Sequence, residues 1–523
     1  MSSVSLNLQQ CTDVPEKGNG PEGQKKDDRV DTRHDKDDKK HDNDAYSICT
    51  DEEEDMEDYK KGGYHYIAVG DAFNEGRYVI LQKLGWGHFS TVWLARDTIN
   101  NRHVALKVVK SATHYTETAL DEIKLLERVV NANSDAPGRK YVVELLDHFM
   151  HHGPNGTHVC MVFEVLGENL LSLIRRFHHR GIPIHLVQQI IYQVLMGLDY
   201  MHRECNIIHT DLKPENVLVC VEDVEKVVRG LLRDADETCT ANGDLPSGRS
   251  GTTKVIGSKP LTHRTRPCAE NSHISAPSSA TADSSSASTP TDNQDHDSNR
   301  TMVDTASCNL TRTMSGINLD KTAPAGRSSD RDTSTTSEKI TVKIADLGNA
   351  CWEDHHFTND IQTRQYRSPE VILGAKWGTS TDVWSVACMT FELITSDYLF
   401  DPQSGPSFSK NDDHMAQIIE LMGHFPKKLA LSGKYSHEMF NRKGELRNIQ
   451  KLRMWRLEDV LREKYVMPSK DAEMLASFLE QMLLLDPAQR ATAGKMTQHP
   501  WLRYTPEEEQ TQPSSNGERR WSV

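Results

Sequence analysis

Three side chains within six residues could together move a phosphoryl group. In "IIHTDLKPENVL" (residues 207–218), Asp211, Lys213 and Asn216 stand at offsets 0, +2 and +5. A carboxylate at the first position can accept the proton of an attacking hydroxyl. A lysine can neutralise the group in transit from ATP, and an amide oxygen can hold a metal ion. The Asp-x-x-x-x-Asn spacing with Lys-Pro-Glu inside it is specific to that chemistry.

Such a loop needs a scaffold on both sides, and the patterning supplies one. Tyr78–Leu81, Thr91–Ala95 and His103–Val109 read as strands, the first two flanking a glycine-containing turn. Residues 117–130 carry Ala119, Leu120, Ile123, Leu126, Val129 and Val130 as a helical stripe. Val142–Phe149 and Val159–Val165 complete a small lobe of five strands and one helix. Helical patterns follow. Residues 186–202 form an apolar stripe, and "DVWSVACMTFELI" (382–394) is apolar nearly all round, which predicts a buried helix.

Composition sets the boundaries. The chain has 523 residues, 36% hydrophobic content and a net charge of −15, unevenly spread. Residues 1–63 read as an acidic, disordered tail containing "DEEEDMED". Residues 234–338, rich in Ser, Thr, Asp and Gly, read as a disordered spacer, because neither segment can bury enough apolar surface to offset chain entropy. Between them lie one lobe over 64–165 and the first part of a second over 166–233. The second lobe resumes over 339–503, and 504–523 is a tail. Val224, Val227, Val228, Leu231 and Leu232 predict a helix docked on the domain where the spacer begins. The ten cysteines show no paired spacing, no secretory signal opens the chain, and the apolar runs are too short to span a membrane. A reduced cytoplasmic or nuclear setting is expected. Net acidity argues against direct nucleic-acid binding and suits a basic protein partner.

Taken in order, the motifs resemble those of eukaryotic protein kinases over nearly all of the apolar-rich sequence. That resemblance implies a bilobal α+β fold, with a small β-sheet lobe bearing one main helix and a larger helical lobe. "GWGHFSTV" (85–92) is similar to the glycine-rich loop: Gly85 and Gly87 let backbone amides approach phosphates, while Ser90 replaces a third glycine. Lys107 and Glu122, fifteen residues apart on strand and helix, match the ion pair that orients the α- and β-phosphates. "ADLGNA" supplies Asp346 as a second Mg²⁺ ligand beside Asn216. Leu84, Val92, Ala105, Phe163, Glu164 and Leu166 would line or edge the adenine site, with Phe163 gating the pocket behind it. Glu370 is expected to pair with Arg490, and Asp382 to hold the backbone of the catalytic loop. Lys213 and Thr363 fit the serine/threonine pattern. Thr210 stands where many kinases carry the arginine that grips an activation-segment phosphate, so activity without that phosphorylation is expected.

Within kinases, "GGYHYIAVGD", "KSATHYTETALDEI", "CMVFEVLGENLL", "DLGNACW" and "TRQYRSPEVILG" resemble the SR-protein kinases, which phosphorylate serines in Arg-Ser repeats of splicing factors. Asp397, Asp413, Glu420 and Lys464 would then mark the docking groove for the substrate, although a further acid of that pattern falls at Pro406. The resemblance implies ATP and Mg²⁺ as cofactors, Arg-Ser-rich proteins as substrates, and a spacer that governs location between cytoplasm and nucleus. Neither membrane nor nucleic acid is expected as a partner, and a monomer is expected. Two other readings compete: a related dual-specificity kinase with the same His-Thr-Asp, and an inactive scaffold for basic proteins. "DLGNACW" and the spacer oppose the first. Retention of Lys107, Glu122, Asp211, Asn216 and Asp346 opposes the second.

Overall fold

Alternation of apolar side chains along β-branched-rich strands builds the first lobe. A computed structural model of the protein describes residues 54–230 and 339–505. Strands β1 (Ala72–Phe73), β2 (Tyr78–Gly87), β3 (Ser90–Asp97) and β4 (Arg102–Val109) precede helix α1 (Thr113–Asn131). Strands β5 (Leu145–Gly153) and β6 (Gly156–Phe163) follow it. They form an antiparallel sheet in the order β1-β2-β3-β4-β6-β5. Val104, Leu106 and Val108 alternate onto one face, where they join Tyr78, Ile80, Trp93, Cys160 and Val162. The intervening Ala105 and Lys107 face the other way, as the two-residue period of a strand requires.

The sheet has six strands rather than five. The two-residue β1 is too short to leave a pattern. The expected strand at Val142 begins at Leu145, because Val143 instead donates its backbone N–H to the Ile344 carbonyl at 2.8 Å. The tail boundary at residue 63 also needs correction. Residues 54–63 include a short turn of helix (Met56–Asp58) and pack on the sheet, because their charges find fixed partners there. At the other end Tyr504, assigned to a tail, bonds Asp471 at 2.6 Å and accepts from Gln188 at 2.7 Å.

Beyond β6 the chain passes through β7 (Leu166–Asn169), α2 (Leu170–Arg176) and α3 (Ile184–Tyr200) to β8 (Ile207–Ile208) and β9 (Val217–Cys220). Residues 224–230 form helix α4. Its Val228 is buried against Leu94 and Val165, with Leu84, Val224 and Val227 alongside, so the helix at the spacer's start docks on the first lobe. Leu231 and Leu232, expected in that helix, and the spacer at 234–338 lie outside the described residues, as does most of the N-terminal tail. The chain resumes with β10 (Val342–Ile344), β11 (Cys351–Trp352), α5 (Pro369–Leu373) and α6 (Ser380–Thr395). Then come α7 (Lys410–Met422), α8 (Leu457–Glu463) and α9 (Ser469–Met482). Every residue of α6 from Thr381 to Leu393 is buried, as its all-round apolar character predicts. One core runs through both halves of the sequence, joining Leu126, Ile190, Ile344, Trp384 and Leu479. No helix among the described residues is long and apolar enough to cross a membrane.

Candidate active site

Strand register carries the first group of site residues to one row. Gly85 pairs with Val92, Val92 with Lys107, and Lys107 with Met161. One step along, Leu94 pairs with Ala105 and Ala105 with Phe163. Gly85, Val92, Ala105, Lys107 and Phe163 therefore share the sheet face opposite the apolar cluster. Lys107 donates to both oxygens of Glu122 on α1, each at 2.9 Å. Burial opposes charge on both partners and lifts the Glu122 carboxyl, a rise that the Lys107 ammonium works against. Glu122 and Asp346 hold the Lys107 ammonium above its usual range despite that burial. The Glu164 carboxylate turns away to Lys343 at 2.6 Å and accepts the Glu144 N–H at 3.0 Å. The adenine edge, expected near Glu164, would then be met by its backbone alone.

The second group gathers around Asp211. Its Oδ1 accepts from the Thr363 hydroxyl at 2.7 Å and the Thr363 N–H at 3.2 Å, and its Oδ2 lies 3.0 Å from Lys213 Nζ. Lys213 also donates to the Thr363 hydroxyl at 3.0 Å. Burial works against the lysine's charge, but Asp211, Glu215 and Asp346 raise its pKa. Asn216 donates its amide N–H to the Asp211 carbonyl at 2.8 Å, which leaves Oδ1 as its free donor atom for a cation. Antiparallel pairing of β9 with β10 and the Ala345 N–H to Asn216 carbonyl bond, 2.9 Å, bring Asp346 beside this loop. Asp346 adopts a left-handed backbone, φ 60°. A carboxylate and an amide oxygen are hard oxygen donors, which suit Mg²⁺ held jointly by protein and substrate phosphates.

Asp382, fully buried at the start of α6, organises the loop from below. It accepts from the N–H groups of His209 (2.8 Å) and Thr210 (2.9 Å) and pairs with His202 Nε2 at 2.8 Å. His209 in turn accepts the Asp211 N–H at Nδ1 (3.3 Å), so its Nε2–H donates to the Ala345 carbonyl at 3.0 Å. Glu370 and Arg490 form the expected pair, at 2.7 and 2.9 Å with both side chains 0% exposed. Charges so buried persist only when matched in this two-pronged way.

Sequence reasoning missed Gln362. Its buried amide donates to the Tyr366 and Thr381 carbonyls, both at 3.1 Å, and to Ser385 at 2.8 Å. Its Oε1 accepts the Ser368 N–H at 2.9 Å. Arg367 donates to the Gln362 carbonyl at 2.9 Å. Gln362 thus locks the end of the segment between Asp346 and Glu370. No periodicity marks a lone glutamine, and Gln362 stands just before "TRQYRSPE" (363–370) rather than within it.

The proposed docking residues fall on the second lobe. Asp413 and Glu420 lie on α7, seven residues or two turns apart. Asp397 follows α6 and takes Lys464 at 3.0 Å and the Tyr465 hydroxyl at 2.8 Å. Partial burial would raise the Asp397 pKa, but these two donors hold it below the usual range. Asp413 accepts the Gln403 N–H at 2.8 Å, and Glu420 the Arg453 N–H at 2.7 Å.

Fold and site together define a protein kinase. The protein kinase domain model matches residues 78–229 and 334–502, on either side of the spacer. The chain is 49% identical to protein kinase dsk1 of Schizosaccharomyces pombe, over 86% of this chain and 85% of that one. It is 42% identical to human SRSF protein kinase 3, over 86% and 90% of the two chains. It is also 40% identical to the serine/threonine-protein kinase SKY1 of Saccharomyces cerevisiae, over 87% and 78%. The chain is a serine/threonine protein kinase and belongs to the SRSF protein kinase family.

Proposed function

We propose that this kinase transfers the γ-phosphoryl group of ATP to serines within Arg-Ser repeats of splicing-factor-type proteins, and does so without phosphorylation of its own activation segment. The hydrogen bond from Thr363 to Asp211 supports the first half most directly. It fixes the carboxylate that accepts the serine proton next to Lys213, the cation that meets the developing phosphoryl charge. Asn216 Oδ1 and Asp346 would hold Mg²⁺, which neutralises the phosphates when bound. Lys107, fixed by Glu122, orients the α- and β-phosphates.

Arginine substrates are supported by the acids on α7 and after α6. Arg pairs with carboxylates in a planar, two-pronged geometry, and acids ~10 Å apart along a helix can meet successive arginines of an extended repeat. Relatives named as SRSF protein kinases point the same way. Independence from phosphorylation is supported by Gln362 and Thr210, which already hold the activation segment with uncharged bonds. By the same reading the protein works in cytoplasm and nucleus, with the spacer setting the balance. Deleting residues 240–335 would shift that distribution and leave peptide phosphorylation intact.

The deciding experiment compares wild type with Asp211→Ala, supplied with ATP and Mg²⁺, on an Arg-Ser repeat peptide and its Lys-Ser counterpart. Wild type should phosphorylate the arginine peptide preferentially, and the variant should lose turnover by orders of magnitude while still binding ATP. Equal rates on both peptides would refute the substrate class. Near-normal turnover by the variant would refute the role of Asp211.

A further inference from the structure

Tyr64 stands in "GGYHYIAVGD", ahead of the glycine-rich loop and with no catalytic role assigned to it, yet its side chain ends on the phosphate loop. Its ring is 1% exposed, and its hydroxyl donates to the Gly87 carbonyl at 2.7 Å. The contact is built from several directions. Lys110 Nζ sits 4.2 Å from the ring centroid and is itself fixed by Asp58 at 2.8 Å. Asn155 donates its side-chain N–H to the Tyr64 carbonyl at 2.7 Å. The Gly62 and Gly63 carbonyls accept the Ala112 and Ser111 N–H groups at 2.8 and 3.1 Å. They thereby satisfy the entrance of α1, where Ala112 has no capping side chain. Gly63 must be glycine, since a Cβ there would come within 1.8 Å of the Asp58 carbonyl. Further out, the carboxylate of Glu54, 4% exposed, bonds Lys83 on β2 and the Tyr59 hydroxyl. Residues 54–66 thus form a strap across the glycine-rich loop, the start of α1 and the β5–β6 turn.

The hydroxyl contact has a directional consequence. In a planar trans peptide the carbonyl of one residue and the N–H of the next point to opposite sides. Anchoring the Gly87 carbonyl on Tyr64 therefore turns the His88 N–H away from the strap. Where a Cβ at Gly87 would stand, no atom lies within 4 Å, so the loop has open space there. The loop tip is pinned as well: the Phe89 and Tyr115 rings lie 5.5 Å apart, and His88 Nε2 is 3.2 Å from the Tyr115 hydroxyl. The Lys110 N–H donates to the Phe89 carbonyl at 2.9 Å.

We propose that Tyr64 is a positioning residue for nucleotide binding, and that its hydrogen bond to Gly87 presets the glycine-rich loop so that backbone amides face the ATP phosphates. This rests on the ATP reading of the site. The strap's contacts run to the glycine-rich loop, the start of α1 and the β5–β6 turn, so its effect belongs to the phosphate end of the nucleotide. Loss of one neutral hydrogen bond corresponds to about a fivefold change in affinity.

Tyr64→Phe removes only the oxygen and keeps the ring under Lys110. Its KM for ATP should rise about fivefold, with kcat at saturating ATP changing less than that and KM for the Arg-Ser peptide unaltered. Calorimetry with a non-hydrolysable ATP analogue and with adenosine separates positioning from structure. The variant should bind the analogue more weakly and adenosine, which has no phosphates, as wild type does. Equal analogue affinity in variant and wild type would overturn the proposal. So would parallel weakening of analogue and adenosine with a lowered melting temperature, which would assign Tyr64 a purely structural role. Failure of wild type to bind the analogue at all would instead remove the ATP reading on which the proposal stands.

Discussion

The Thr210 hydroxyl donates to the Asn349 carbonyl across 2.7 Å and so joins the catalytic loop to the activation segment without any charge. Thr210 holds this position at φ 66°, a left-handed backbone that a β-branched residue adopts only under constraint. The constraint is Asp382, which accepts its N–H. Protein made in a bacterial host and treated with phosphatase should therefore keep full activity. Thr210→Val preserves the branched shape and deletes the donor. It should lower kcat/KM up to about tenfold, since the bond that ties the catalytic loop to Asn349 is lost. Loss of wild-type activity on phosphatase treatment would refute this account.

Thr363 bridges the proposed base and the proposed phosphoryl-binding lysine, at 2.7 Å from Asp211 Oδ1 and 3.0 Å from Lys213 Nζ. Thr363→Val should lower kcat by roughly ten- to a hundredfold, because the Asp211 carboxylate loses the hydroxyl that orients it, with little change in KM for ATP. Thr363→Ser should retain most of the rate. Steady-state kinetics on the Arg-Ser peptide check both, and a serine variant as slow as the valine variant would assign the effect to packing of the methyl group.

Much of this site is legible in the residues alone because each motif combines a local pattern with a fixed offset. Lys107 and Glu122 meet because a strand residue and a helix residue fifteen positions on face each other, and Asp382 is buried because α6 is apolar on every side. What escapes is long-range and polar. The acidic run ending at Asp58 reads as a solvated tail, since its partners Lys83 and Lys110 lie 29 and 52 residues away from Glu54 and Asp58. Gln362 likewise gains its role from Thr381 and Ser385, nineteen and twenty-three residues on. Short strands such as β1 span too few residues to show a period. Neither pairing distance nor burial of a single amide is encoded in periodicity.

Glu392 offers a pH test of the core. It is buried on α6 and takes the Tyr366 hydroxyl at 2.5 Å. Burial pushes its pKa up to about 8, although Tyr366 opposes this, and Glu215 adds to the rise. The folded state thus keeps a proton that the unfolded state releases above the ordinary glutamate pKa of 4.5. Between pH 4.5 and 8 the unfolded form binds fewer protons, so this group costs more stability as pH rises and reaches its full cost above pH 8. Glu392→Gln cannot ionise. Its stability relative to wild type should improve from pH 5 to pH 8 by a few kcal/mol at most. Denaturant melts at several pH values measure this, and a pH-independent difference would show that Glu392 is ionised in the folded protein.

Asp397, Asp413 and Glu420 are proposed to grip arginines remote from the reacting serine, so their loss should be felt in substrate affinity rather than in ATP chemistry. Truncation would confuse the test, because Asp413 and Glu420 also accept the Gln403 and Arg453 N–H groups. The triple variant Asp397→Asn, Asp413→Asn, Glu420→Gln keeps those acceptor oxygens and removes only charge. It should bind a long Arg-Ser substrate more weakly by ~1–3 kcal/mol, the scale of charge-assisted hydrogen bonds. KM for ATP should hold. Raising salt should weaken wild type more steeply than the variant, because screening acts on the charges that were removed. Lys464, held by Asp397, tempers the acidity at one end of the groove, so Lys464→Gln should tighten binding of the arginine substrate. Equal affinity and equal salt slope in wild type and the triple variant would make these acids ordinary solvated surface.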